Sequence, residues 1–106
     1  MLSEDVRNSI SESVLCWLAT ANSEGTPNVS PKVVFLAYGE EEIIIANIAS
    51  PRSVKNITQN PKVCVSFVHV FKQKGYKVHG EAQYLTEQNA GYQERYSPIY
   101  KITQET

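Results

Sequence analysis

Apolar and polar residues along the chain alternate with two different periods, and the switches between them outline the elements. Around 62–71, Val63, Val65 and Phe67 alternate with Cys64, Ser66 and Val68, which is the period of a half-buried strand. In 76–85, Tyr76, Val78, Gly80, Ala82 and Tyr84 share one face, and Lys77, His79, Glu81 and Gln83 share the other. The run VLCWLATA at 14–21 predicts a strand that stops at the turn-forming Asn22, Ser23, Glu24 and Gly25, with Trp17 read as a core residue. A second strand is expected over about 27–38, polar at first and apolar from Val33 to Leu36. Its Pro31 cannot donate to a ladder, so this strand lies at an edge, carries a bulge or opens the sheet. Ile43, Ile44 and Ile45 form a β-branched run too short for a helix.

Three stretches carry helical signals instead. Ser3 can cap a helix with Glu4 and Asp5 in its first turn and Val6, Ile10 and Val14 on one face. Ser50 and Pro51 start a short helix that turns Val54 and Ile57 to the sheet and ends at Asn60 and Pro61. Thr86 can cap EQNAGYQERY, which Ser97 and Pro98 terminate, and the near-helical spacing of Tyr92, Tyr96 and Tyr100 suggests packing of that helix.

The start of the middle helix concentrates chemistry. A helix N-terminus offers unpaired N–H groups and the positive end of the macrodipole, and Ser50, Arg52, Ser53 and Lys55 add two hydroxyls and two cations. That combination suits a phosphate. On local features alone, a capped surface helix with solvated Arg52 and Lys55 is the commoner arrangement. Ser30 and Lys32 beside Pro31 have the same two sides: groups at an opening of the sheet, or an edge strand whose lysine discourages aggregation.

Composition narrows the classes further. A chain of 106 residues with 42% hydrophobic and 20% charged residues is one globular domain, 1–106. The net charge of −1 gives no global reason to expect nucleic acid or an anionic membrane as partner, and Lys72, Lys74 and Lys77 lack aromatic interleaving. No apolar run reaches membrane-spanning length and the N-terminus is polar, so the expected location is the cytoplasm. Cys16 and Cys64 read as buried free thiols, and His69 and His79 lack metal-ligand spacing, so no metal is expected. Phosphate-loop, dinucleotide-fold, hydrolase and thioredoxin motifs are missing from the sequence.

From about Val14 to Leu85 the order PNVSPKVVFL, acidic turn, IIIANIAS, SPRSVKN, NPKV and CVSFV resembles the pyridoxamine 5′-phosphate oxidase-like family of FMN-binding split barrels. The resemblance implies a mainly β fold, a small antiparallel Greek-key split barrel with short flanking helices. It also implies FMN as cofactor and a homodimer with flavin at the interface. Ser50, Arg52, Ser53 and Lys55 would hold the phosphate, Ser30 or Lys32 would lie near the phosphate or ribityl chain, and Ala46 and Asn47 would meet the ribityl chain or ring edge. The activity implied is flavin-dependent oxidoreduction with an unassigned small-molecule electron donor or acceptor, and no catalytic residue is identified. Pyridoxamine 5′-phosphate oxidation itself is not expected, because that enzyme carries a C-terminal extension with basic residues not found here. Alternatives are a flavin-binding or redox-sensing module without turnover, and a split barrel for heme or a deazaflavin. The family closes its barrel with a further strand, for which only IYKITQET remains, so a truncated or short last strand is expected.

Overall fold

The computed structural model describes residues 2–46, 51–85 and 99–104. Helix α1, Glu4–Glu12, begins where the Ser3 hydroxyl accepts a hydrogen bond from the Val6 N–H at 3.2 Å, with Glu4 and Asp5 against the positive dipole end. Its Ile10 is buried and Val6 packs on the core. The strands are β1 (Cys16–Ala21), β2 (Pro27–Lys32), β3 (Phe35–Tyr38), β4 (Glu42–Ala46), β5 (Lys62–His69), β6 (Lys74–Leu85) and β7 (Ile99–Gln104). Helix α2, Pro51–Gln59, lies between β4 and β5.

All seven strands join one antiparallel sheet in the order β2-β1-β5-β6-β7-β4-β3. The strands at its two edges are consecutive in the chain, and that fact sets the shape. A flat sheet of seven strands would hold its edges about 29 Å apart. The step from Lys32 to Phe35 reaches about 10 Å at most. The sheet therefore curls into a half-barrel that brings its unpaired edges, β2 and β3, together at Val33 and Val34.

The expected single strand over 27–38 is thus two strands. The β-branched Val33 and Val34 look like strand interior, but they form the bend between the edges and are 65% and 53% exposed. The short last strand expected from IYKITQET is present as β7. β7 inserts between β6 and β4, pairing Ile102 with both Ala82 and Ile43, and so completes the sheet. Gly80 makes this pairing possible, because a Cβ there would lie 2.3 Å from the Thr103 carbonyl oxygen. The expected helix over 86–98, including Tyr92 and Tyr96, falls outside the described residues.

Alternation fixes the core as anticipated on β5 and β6, where Val63, Val65, Phe67, Val78 and Ala82 are buried with Leu18, Ile43, Ile45 and Ile102. Tyr100 belongs to this core from β7, not to a helix face. On β1 the phase buries Cys16, Leu18 and Thr20, leaving Trp17 on the outer face at 42% exposure, contrary to its reading as a core residue. Both cysteines are free; Cys16 is buried and Cys64 half-buried.

Candidate functional site

α2 is held against the sheet by an unusual mixture of residues. Ile57 is buried and Val54 packs on the core, but Ser53 and Asn56 are buried beside them. The Asn56 amide donates to the Thr20 hydroxyl at 3.0 Å, binding the helix to the inner face of β1. Asn60 closes the helix, its N–H donating to the Asn56 carbonyl at 2.7 Å and its side-chain oxygen accepting from Lys62 N at 3.2 Å. This packing leaves Arg52 and Lys55 exposed, three residues apart and so on one flank of the first turn.

That flank forms one wall of a cavity of about 470 Å³. The opposite wall is the β1–β2 turn, residues Asn22, Ser23 and Glu24. Asn22 Oδ1 accepts from the N–H groups of Glu24 and Thr26, both at 2.9 Å, and Gly25 takes the positive φ of 86° that the turn requires. The Ser23 N–H donates to Gln59 Oε1 at 3.3 Å, docking the turn on α2. Among the described residues, neither Arg52 nor Lys55 forms an ion pair. Two free cations beside the orphan N–H groups of a helix start can hold an oxyanion.

The structure divides the expected site residues between two places. Arg52 and Lys55 line the cavity, whereas Ser53 is fully buried. Ser30 faces inward from β2, opposite Leu18, and is half-buried. Lys32 faces inward opposite Cys16 and is only 3% exposed, with its Nζ 5.5 Å from the centre of the Tyr100 ring. Burial lowers the Lys32 pKa, and it pushes the Cys16 thiol up to about 12 despite the neighbouring ammonium. Ala46, half-buried at the end of β4, donates its N–H to the Val34 carbonyl at 2.9 Å. Asn47 and Ser50 lie outside the described residues.

Sequence reasoning missed the Asn22–Glu24 wall and the inward polar positions Thr20, Asn28 and Asn56. The signal was available for Thr20 and Asn28, which keep the alternation phase of Leu18 and Ser30. A separate cluster lies under α1, where Glu12 Oε2 is 2.9 Å from Lys72 Nζ and 3.6 Å from His69 Nε2. Lys72 lowers the Glu12 pKa by hydrogen bonding and charge. Among the described residues no trio of His, Cys, Asp or Glu could hold a metal, and no helix is long and apolar enough to cross a membrane.

Residues 2–105 match the family described as pyridoxamine 5′-phosphate oxidase. The chain is 31% identical over 88 residues to the uncharacterized protein MJ0282 of Methanocaldococcus jannaschii, a match that covers 81% of this chain and 58% of that protein's length. Its fold is similar to HupZ of Group A Streptococcus, with a TM-score of 0.83 and 25% identity over 99% of this chain and 90% of the other. HutZ of Vibrio cholerae, described as a heme storage protein, shares the fold at a TM-score of 0.70 and 17% identity, covering 99% of this chain and 91% of HutZ. An F420 reductase does so at 0.71 and 20%, covering 99% and 97%.

Proposed function

Because the chain belongs to the pyridoxamine 5′-phosphate oxidase-like split-barrel family, we propose that it binds FMN at the start of α2 and serves flavin-dependent oxidoreduction. The observation that carries this reading is the cavity at α2, where Arg52 and Lys55 stand unpaired among the described residues beside the helix start. A flavin phosphate is close to a dianion and needs both cations and N–H donors. Arg52 clamps phosphate oxygens in bidentate fashion and Lys55 acts as a point charge. Ser53, whose side chain is enclosed, belongs to the same first turn of α2. Ser50 and Asn47 complete the phosphate and ribityl contacts, and Ser30 and Ala46 flank the gap between the sheet edges where the ring lies.

Bound flavin supplies the electron-transfer chemistry; the protein binds it, orients it and sets its electrostatic surroundings. The partner is a second copy of this chain. The outer face of β2, β1 and β5 supports that reading, because Trp17, Val29 and Val68 are all more than 40% exposed on it. An exposed apolar patch of this kind suits an isologous contact. The cytoplasm remains the proposed location.

A cofactor-binding module without turnover is the second reading. The fold is shared with a heme storage protein and an F420 reductase. Purified protein that is yellow and releases FMN on denaturation supports flavin binding, and a heme spectrum or no chromophore on reconstitution contradicts it. NAD(P)H-driven bleaching of the bound flavin separates the enzyme from the module.

A further inference from the structure

Helix α1 and the hairpin between β5 and β6 face each other across a cleft that shares no residue with the cavity at α2. On α1, Asp5, Ser9 and Glu12 recur at i, i+4 and i+7 and so share one face. On the hairpin, His69 ends β5, Lys74 begins β6 as its register partner, and Lys72 lies in the turn between them. These six residues line one cavity of about 200 Å³. One wall is acidic and the other basic.

Glu12 is already answered, by Lys72 Nζ at 2.9 Å and His69 Nε2 at 3.6 Å. His69 Nδ1 is occupied too, accepting from the Lys72 N–H at 3.3 Å. Asp5 and Lys74, both exposed, form no ion pair among the described residues. Ser9 adds a third open group to the cavity wall: it is only 8% exposed, and its Oγ has no hydrogen-bond partner among the described residues. A buried hydroxyl left unmet is costly, and this one can both donate and accept.

We propose that this cleft binds a small zwitterion of the amino-acid class, its ammonium held by Asp5 and the Ser9 hydroxyl on the α1 wall and its carboxylate by Lys74 on the hairpin wall. Charge selects the class. With Glu12 matched by Lys72, the groups left over are one carboxylate and one ammonium on opposite walls, so a ligand with one charge of each sign leaves neither unanswered, whereas a simple anion or cation answers only one. Size selects the small members, because the cavity falls below the roughly 300 Å³ at which drug-sized pockets begin.

L-alanine is the probe, titrated into the 15N-labelled full chain while amide chemical shifts are followed. Those of Ser9 and Lys74 should move and saturate at on the order of 1 to 10 mM ligand. Acetate and methylammonium, each lacking one charge, should bind at least about tenfold more weakly. Asp5→Asn and Lys74→Gln, both at exposed positions, should each weaken L-alanine by about tenfold or more. Arg52→Ala combined with Lys55→Ala should leave its binding unchanged, so that failure of this cleft is distinguishable from failure of the flavin phosphate site. Should a charge variant not fold, the comparison of the three ligands on wild type gives the same answer. No saturable shift at Ser9 and Lys74, an equal response to acetate or methylammonium, undiminished binding in either charge variant, or loss of the response in the Arg52 and Lys55 double variant would each overturn the proposal.

Discussion

β4 turns Ile43 and Ile45 into the core at 1% and 0% exposure, whereas β2, at one edge of the same sheet, turns Asn28, Ser30 and Lys32 inward. Neighbours explain the contrast. β4 lies between β7 and β3, so its inner face is enclosed by apolar side chains, among them Ile102 and Phe35. β2 has β1 on one side and the split on the other, with α2 packed nearby. The inner face of β2 is therefore polar where that of β4 is apolar. On the proposed reading the half-barrel has a part built for stability and a part built for ligands, and substitutions should separate the two.

Ile45→Ala should give the largest change, a loss of about 2 to 5 kcal/mol from the missing contacts and residual cavity. Denaturant unfolding measures it, and a loss under about 1 kcal/mol would mean that β4 is not the enclosed strand described here. Lys32→Met should act in the opposite direction and stabilise the fold by about 1 to 4 kcal/mol, because an unpaired buried charge is replaced by a thioether of similar length. The gain has a pH signature. The folded-state pKa of Lys32 lies below the usual 10.5, so the unfolded chain holds the proton longer and wild-type stability from this group rises as pH climbs to 10.5. Cys16 works against it, its folded pKa of about 12 removing stability as pH rises from 9.0. Subtracting the two proteins' stabilities isolates Lys32: the advantage of Lys32→Met should shrink toward pH 10.5, and a constant difference would show Lys32 to be solvated. The smallest effect belongs to Glu12→Gln, outside both regions. The Glu12 pKa is lowered in the fold, so its contribution is present above pH 4.5 and fades as pH falls through the folded value. A wild-type minus Glu12→Gln difference in melting midpoint that survives below that range would assign the contact another role.

The stable part was far more legible than the binding part. Val63, Val65 and Phe67 announce their strand because alternation and burial agree there, and Ser3 and Pro51 mark helix starts by local chemistry. Arg52 and Lys55, the cations of the proposed phosphate site, were proposed from the same kind of local chemistry. The bend at Val33 and Val34 was hidden because β-branched residues favour strands, and only the pairing of β2 with β1 and of β3 with β4, at opposite ends of the sheet order, parts them. Trp17 misled because size and hydrophobicity suggested the core while the phase set by Cys16 and Leu18 put it outside. The isolation of Lys32 depends on Tyr100, 68 positions away along the chain, and no local pattern encodes that contact.

Calorimetric titration of apoprotein with FMN and with riboflavin tests the binding part most directly, since the two ligands differ only in the phosphate. Wild type should prefer FMN, and Arg52→Ala combined with Lys55→Ala should lose about 3 to 6 kcal/mol of FMN affinity, at about 1.5 to 3 kcal/mol for each charged partner lost, with riboflavin affinity unchanged. Equal binding of both ligands by wild type, or an FMN affinity untouched in the double variant, would contradict the assignment of the phosphate to the start of α2.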